Sequence, residues 1–363
     1  MSRKSQASPL SRRRFLEGSA ALVGAAAGTA SFMNDAEAAA PAVGPAAPPA
    51  GFKPLSAPGK IVKVSKGNDF ASLMQPNLLW PKPEVARQML EKAMTTFTGA
   101  PNLAAALGKF IHKDDRVAVK VNGIAGQNGA SMAVNFELIQ PVVEGLVAFG
   151  VPAENITVYE QYGSYLLGTR VGKKGNKLPE GVKTGVHSNG DAKMKAIPVF
   201  ENVKTKYVTF LTEATAVIDM TQIKDHSICG YTGCLKNMTH GSIINPEKHH
   251  AHHASPQIAV LYAHEILQSR VRLHITDAFK IIYDQGPLDK NPKRRVPHGA
   301  VYVSTDAVAM DTMGWQVIER ARQENGLKTL AKAGREPTYI ARAAELGVGV
   351  HDTNKIRMQE VTI

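Results

Sequence analysis

Apolar residues along the chain fall into two patterns, short runs typical of buried strands and longer stretches with the spacing of amphipathic helices. The short runs predict strands at 61–64, 116–122, 155–159, 207–211, 216–219, 272–277 and 300–304. The longer stretches predict helices at 83–97, 136–149, 255–267 and 305–322. Strands that alternate with helices favour a mostly parallel sheet with helices on both faces, here as a single large α/β domain over residues 60–363.

The first 38 residues have the features of an export signal. A basic segment, Ser11-Arg12-Arg13-Arg14-Phe15-Leu16, resembles the twin-arginine motif, and a Gly- and Ala-rich apolar run and an Ala36-Glu37-Ala38 cleavage pattern follow it. We therefore expect a twin-arginine signal peptide at 1–38, the export machinery as a partner, and a periplasmic or otherwise exported protein. The alternative is a membrane-anchored helix, but the apolar run is too short to span a bilayer comfortably, so we expect no permanent membrane span after cleavage.

Two segments have compositions that predict no core. Residues 39–59 are rich in Ala and Pro, which predicts a linker between the signal and the domain. Residues 163–196 are rich in Gly and Lys with weak periodicity, which predicts a long excursion over the surface.

Composition and charge exclude several classes of protein. Hydrophobic residues make up 44% of the 363 residues and charged residues 20%, which is typical of a soluble globular chain. The formal net charge is +12, but the basic residues are scattered and no nucleic-acid-binding motif is present, so we expect no nucleic acid partner. Cys229 and Cys234 are the two cysteines of the chain, which excludes a four-cysteine zinc or iron–sulfur site within it.

Polar residues follow four of the predicted strands. Ligands of open parallel sheets bind beyond the carboxyl ends of the strands, so residues at these positions are candidates for a shared site. The four segments are Lys120 to Gly123, Asp219 to His226, Asp277, and Ser304 to Asp311.

The segment 224–253 holds six of the twelve histidines and both cysteines. Imidazole and thiolate are the usual ligands of transition metals, so one interpretation is a site for a divalent transition metal. Its candidate ligands are His226, Cys229, Cys234, His240, His249, His250, His252 and His253. In an exported protein the two thiols could instead form a disulfide, and the clustered histidines could bind metal adventitiously.

Other candidates also have structural interpretations. Asp306 precedes a predicted helix, where Asp is a common N-cap. The glycines between 120 and 129 lack the spacing of nucleotide-binding loops and favour a structural turn. Lys224 and Lys236 are either surface charges or cations that hold an anionic substrate.

Several of these segments together resemble one family. They are Val119-Lys120-Val121-Asn122, Ile223-Lys224-Asp225-His226, Gly230 to Asn237 with Gly241, Asp277, and Ser304 to Asp311. The chain is similar over roughly 60–325 to the domain-of-unknown-function 362 family, in the form without an appended ferredoxin-like domain. The resemblance implies export by the twin-arginine route and a shared polar site, but it names no reaction. The implied site residues are Lys120, Asn122, Lys224, His226, Lys236, Asn237, Asp277, Asp306 and Asp311.

The leading hypothesis is an exported enzyme, metal-dependent or redox-active, that acts on a small anionic substrate. In this hypothesis Lys224, Lys236 and Asn237 orient the anion, and His226 is a general acid/base or a ligand. Asp277 and Asp306 are each a ligand or a proton acceptor. Lys120, Asn122, Asp306 and Asp311 complete the predicted substrate site. One alternative is a non-catalytic periplasmic metal carrier that uses His240 to His253, and another is a partner-binding subunit of an exported redox complex.

Overall fold

Strands β1 to β11 form a large mixed sheet and a small second sheet in the computed structural model, which describes residues 42–67, 69–124, 126 and 131–363. The predicted signal peptide lies outside these residues. In chain order the strands are β1 (Lys60–Ser65), β2 (Val117–Lys120), β3 (Ile156–Glu160), β4 (Lys183–Val186), β5 (Ile197–Phe200), β6 (Val203–Thr205), β7 (Ala216–His226), β8 (Gly230–Thr232), β9 (Val271–Ile282), β10 (Arg295–Ser304) and β11 (Arg357–Thr362).

The nine-stranded sheet has the order β11-β1-β10-β9-β7-β2-β3-β4, and β8 pairs with β7 as a short antiparallel hairpin. Along the main path β10 is antiparallel to both of its neighbours, and the remaining adjacent pairs are parallel. The strands β5 and β6 form a separate two-stranded sheet. The prediction of a mostly parallel sheet in a single α/β domain is confirmed.

The helices are α1 (Phe70–Leu73), α2 (Pro83–Thr98), α3 (Leu103–Leu107), α4 (Phe136–Phe149), α5 (Gly163–Gly168), α6 (Thr209–Thr212), α7 (Cys234–Thr239), α8 (Ser255–Ala263), α9 (Glu265–Gln268), α10 (Ala307–Glu324) and α11 (Tyr339–Glu345). Short 3₁₀ turns lie at Ala153–Asn155, His240–Ser242, Pro246–His249, Ala251–Ala254 and Pro292–Arg294. The long helices begin and end at predictable residues. For example, α2 has Pro83 at its first position, and α4 ends at Gly150, whose φ of 110° suits glycine.

Two hydrophobic cores cover the two faces of the sheet, because successive strand residues point to opposite faces. Val117 and Val119 of β2 belong to the core that packs against α2, α3 and α4. Ala118 belongs to the other core, with residues of α7, α8, α10 and α11. Helices therefore lie on both faces, as predicted.

Several segments differ from the sequence-based expectation, and β7 and β9 run past their predicted ends at 219 and 277 to His226 and Ile282. Residues 207–211 were expected to form a strand, but Tyr207 makes one isolated bridge to Ile243 and the chain then turns into α6. The predicted helix 255–267 is interrupted at His264, whose ψ of 139° is extended and whose Nδ1 accepts from the N–H of Ile266. The predicted excursion contains α5 and also β4, which pairs with β3 and extends the sheet.

The described part of the predicted linker, residues 42–59, lies against the domain. The carbonyl of Gly44 accepts from Arg270, and the N–H of Ala46 donates to Ser269 Oγ at 3.0 Å. Val43 packs against one core and Leu55 against the other. This segment is therefore part of the folded domain, although it forms no helix or strand.

Within the residues that the structure describes, none of the helices combines the length and apolar character needed to cross a membrane.

Candidate functional site

A cavity of about 460 Å³ lies where β2 and β3 end and β7 continues. Lys120, the last residue of β2, pairs with Asp219, and β7 then runs on to His226. The polar residues that line the cavity come from β2, β3, α5, β7, β8 and α7 and from the turns that follow β2, β3 and α7. They are Lys120, Asn122, Glu160, Gln161, Tyr162, Tyr165, His226, Thr232, Lys236, Asn237, His240, Glu247 and His250. This cavity brings together five of the predicted site residues from distant segments of the chain: Lys120, Asn122, His226, Lys236 and Asn237.

Lys224 lies beneath the cavity rather than in its wall. Its ammonium is fully buried and donates to Asn122 Oδ1, to the carbonyl of Ile124 at 2.8 Å and to the carbonyl of Met132 at 3.0 Å. Burial lowers the pKa of Lys224 to about 7. Its three protons nevertheless all point at oxygen acceptors, an arrangement that suits the charged form. Lys224 therefore acts on the site by holding the Asn122 amide.

The Asn122 amide starts a chain of hydrogen bonds with fixed direction. Since Oδ1 of Asn122 accepts from Lys224, its Nδ2 donates to Asn237 Oδ1 at 3.0 Å. Asn237 Nδ2 then donates to Asp219 Oδ1 at 2.6 Å, and Asp219 Oδ2 bonds His274 Nδ1 at 2.9 Å. Both asparagines are buried, and the chain leaves each a single orientation.

Lys120 is also fully engaged. Its ammonium donates to the carbonyl of Val121 at 2.6 Å and to Asn237 Oδ1 at 3.2 Å, and it lies 3.2 Å from Glu160 Oε1. Glu160 Oε1 also accepts from the N–H of Gly123 at 2.9 Å. The positive charge of Lys120 is therefore balanced within the protein.

Lys236 differs from both of these lysines. Its side chain is 9% exposed and lines the cavity, and among the described residues its ammonium has no hydrogen-bond or ion-pair partner. Burial lowers the pKa of Lys236. A nearly buried ammonium without a counter-ion is costly, so this position favours an anion in the cavity.

Helix α7 carries both Lys236 and Asn237, and its start is fixed by a buried carboxylate. Asp311 Oδ1 accepts from the N–H of Cys234 at 2.6 Å, and Oδ2 accepts from the N–H of Leu235 at 3.0 Å. A Cβ on Gly233 would lie 2.1 Å from Asp311 Oδ1, so this close approach requires glycine.

Two histidines of the cavity wall have opposite tautomers. His226 Nδ1 accepts from the N–H groups of Ile228 at 3.1 Å and Cys229 at 3.4 Å, so its remaining nitrogen, Nε2, carries the proton. His250 Nδ1 lies 2.9 Å from the carbonyl of Pro246, to which it must donate, so its Nε2 is an acceptor. The two rings stack with centroids 5.7 Å apart.

These imidazoles are neutral at neutral pH. Burial, followed by the charge of Lys236, lowers the pKa of His226 well below its ordinary value and that of His250 to about 4. The same causes lower the pKa of His240, whose Nε2 lies 3.0 Å from the carbonyl of His249.

The three predicted aspartates lie outside the cavity wall. Asp277 Oδ2 accepts from the backbone and the side chain of Asn135, both at 2.7 Å. Asp306 is the N-cap of α10, as its structural interpretation predicted, and also accepts from the N–H groups of Gly59 and Val350. Asp311 caps α7, as described above. All three are buried, with their acceptor atoms directed at the protein itself.

The predicted metal ligands are dispersed. His226, His240 and His250 line the cavity, whereas His252 and His253 are exposed and bond Glu201 and the carbonyl of Ile228, respectively. His249 is buried, with neither ring nitrogen hydrogen-bonded.

Cys229 and Cys234 are both buried free thiols, so the disulfide alternative is not realised in this structure. In the described part of the chain, Asp219, Cys234 and His274 are the group whose ligand atoms lie within 4.8 Å of one another. Asp219 is already satisfied there by Asn237 and His274, so the donor set does not require a cation.

Sequence reasoning missed Glu160, Tyr162 and Tyr165. Glu160 is the last residue of β3. It could have been found from the rule that ligands of parallel sheets bind at the carboxyl ends of the strands. The two tyrosines belong to the segment around α5, where weak periodicity gave no signal for an aromatic wall.

The fold and cavity together define an α/β protein with a polar, cationic site at the carboxyl edge of a mostly parallel sheet. The family model described as "Domain of unknown function (DUF362)" matches residues 117–316, which is more than half of the chain. The chain therefore belongs to this family, as its motifs predicted. Comparison with curated proteins finds no match.

Proposed function

We propose that this protein is an exported enzyme that acts on a small anionic substrate bound in the cavity. The observation that carries the proposal is Lys236, a nearly buried ammonium that lines the cavity and has no partner among the described residues. Lys120 and Lys224 are already satisfied, so Lys236 is the cation of this group that is available to a ligand.

The surroundings of Lys236 suit proton transfer as well as binding. His226 offers a proton at Nε2, and His250 offers a lone pair at Nε2, both in the wall of one cavity. The lone pair of the neutral His250 ring can accept a proton from a bound group, and the N–H of the neutral His226 ring can donate a hydrogen bond to it. Asn122 and Asn237, held by Lys224 and Asp219, keep the floor of the cavity in one arrangement.

The test is a panel of small phosphorylated and carboxylated compounds, read first by ligand-induced thermal shift and then by mass detection of product. We expect at least one compound to stabilise the wild-type protein and to be converted. Lys236→Met should abolish both effects, because the ammonium that pairs with the anion is gone.

Lys236→Met should leave the ligand-free melting temperature within a few degrees, since the ammonium has no protein partner to lose. A melting temperature that collapses in Lys236→Met would identify this lysine as structural. If the variant still converts the compound, Lys236 takes no part in the reaction.

We also propose that residues 1–38 direct export by the twin-arginine route. Replacing Arg12 and Arg13 with lysine should retain the protein in the cytoplasmic fraction. Unchanged export of that variant would contradict this part of the proposal.

A further inference from the structure

The hydrogen-bonding pattern around Lys236 restricts which anion the cavity accepts. Lys236 offers an ammonium, and His226 offers an N–H at Nε2, so both are donors. His250 is an acceptor, because its Nδ1 proton is held by the carbonyl of Pro246. An anion in contact with all three must accept two hydrogen bonds and donate one.

We propose that the cavity selects an oxyanion that still carries a proton, such as hydrogen phosphate or the monoanion of a small phosphate monoester, over a fully deprotonated oxyanion such as sulfate. Sulfate would bring a lone pair against the lone pair of His250 Nε2, and that acceptor would be left without a donor. Sites that hydrogen-bond a hydroxyl of the ligand reject analogues that lack it, because a buried polar group is then unpaired.

The carboxylates near the cavity do not cancel this preference. Glu160 is paired with Lys120 and also accepts from the N–H of Gly123. Glu247 is exposed in the wall. The cavity, at about 460 Å³, has room for a tetrahedral oxyanion with a small substituent.

The inference deepens the proposed function and rests on it, since it names the substrate class of the same cavity. The rings of His226 and His250 stack with centroids 5.7 Å apart, so the two rings would contact different oxygens of the same oxyanion. One oxygen would accept from His226, and a protonated oxygen would donate to His250.

The experiment is calorimetric titration of the purified protein at pH 5.5 with inorganic phosphate, methyl phosphate and sulfate, because at this pH a phosphate monoester is mostly the protonated monoanion and sulfate is still a dianion. We expect phosphate to bind about 10- to 100-fold more tightly than sulfate, the range that corresponds to one hydrogen bond to a charged group. Methyl phosphate separates the two sources of the ligand: comparable binding points to a monoester, and binding of inorganic phosphate alone points to the free ion.

His250→Phe keeps a flat ring and removes the acceptor, so it should bring the affinities for phosphate and sulfate to within a few-fold of each other. The matched control is His112→Phe, in the loop before the start of β2 and outside the cavity wall, which should keep the wild-type ratio. Nitrogen NMR of the wild-type rings should report an Nε2 proton on His226 and an Nδ1 proton on His250.

The outcomes separate the two proposals. If sulfate binds as tightly as phosphate and Lys236→Met abolishes both, the anion site stands and the selection of a protonated ligand is overturned. If the NMR tautomers are reversed, the selection is likewise overturned. If none of the anions binds, both proposals fail.

Discussion

Lys236 and the three buried aspartates contrast in how their charges are satisfied. Asp277, Asp306 and Asp311 are buried, and each accepts two or more hydrogen bonds from N–H groups of the protein. Lys236 is almost as buried, yet it has no partner among the described residues. The aspartates thus bind N–H groups of the protein itself, whereas the Lys236 ammonium is left available to a ligand.

This contrast shows how to separate structural from functional polar residues in a motif. Both kinds lie in the segments by which the chain resembles its family, and the sequence alone gives them equal weight. The hydrogen-bond partners distinguish the two kinds of residue. A buried charged group whose donors or acceptors all have partners in the protein stabilises the fold, and a buried charged group without such partners is available to a ligand. The following predictions test that division.

The largest effect on stability is expected at Asp306. Asp306→Ala removes the acceptor of three backbone N–H groups, those of Gly59, Ala309 and Val350. Because buried donors without partners are costly, we expect a loss of about 3 kcal/mol in the free energy of unfolding, measured by urea denaturation. Phosphate affinity should remain within about two-fold. If the variant keeps its stability but loses anion binding, Asp306 is a ligand-binding residue and not a structural one.

A smaller effect is expected at Lys224, and Lys236 is its matched control. Lys224→Met leaves the oxygens of Asn122, Ile124 and Met132 without their shared donor. We expect a loss of about 2 kcal/mol in the free energy of unfolding, whereas Lys236→Met should lower it by no more than about 0.5 kcal/mol. Equal destabilisation by the two substitutions would contradict the distinction between Lys224, whose ammonium is hydrogen-bonded within the protein, and Lys236, whose ammonium is available to a ligand.

The smallest effect concerns pH and compares a cavity histidine with a distant one. Burial lowers the pKa of both His250 and His298 to about 4, against 6.5 for an ordinary histidine. The unfolded chain therefore takes up protons between about pH 6.5 and 4 that the folded chain refuses, so stability falls as the pH falls through this window. We expect each histidine to contribute on the order of 1 kcal/mol to the fall.

Urea denaturation at pH 7 and pH 4.5 measures this fall, and His298→Phe should make it shallower. Saturating phosphate at pH 7 should stabilise His298→Phe as much as it stabilises the wild-type protein, because His298 lies outside the cavity wall. An unchanged fall in His298→Phe would mean that this ring is not kept neutral by the fold.

Most of the fold could be predicted from local pattern. Helix α4 was predicted with the bounds that it has, and β1, β2 and β3 to within a few residues, because apolar periodicity and Gly stops are local signals. β4 and β8 could not be predicted in this way, since β4 is stabilised by pairing with the edge of β3, and β8 by the extension of β7. The residues 207–211 have strand-forming side chains, but tertiary packing overrides that propensity.

The site was predicted in its residue types better than in its geometry. The rule of strand ends correctly placed Lys120 and Asn122 at the cavity, and the motif residues His226, Lys236 and Asn237 also lie there. The same reasoning could not tell that Asp277 faces Asn135 instead, because a residue's hydrogen-bond partners depend on long-range packing. The division of the histidines, with His250 in the wall and His252 exposed, likewise follows from turns that composition does not specify.

The segment before β1 contacts the end of the sheet that lies opposite the cavity. Gly44 and Ala46 are held beside Ser269 and Arg270, where β9 begins, whereas the cavity opens where β2 ends. Because β2, β7 and β9 run in the same direction, these two places are opposite poles of the sheet. An affinity tag or an immobilisation surface attached close to Gly44 would therefore be anchored at the pole of the sheet opposite the cavity.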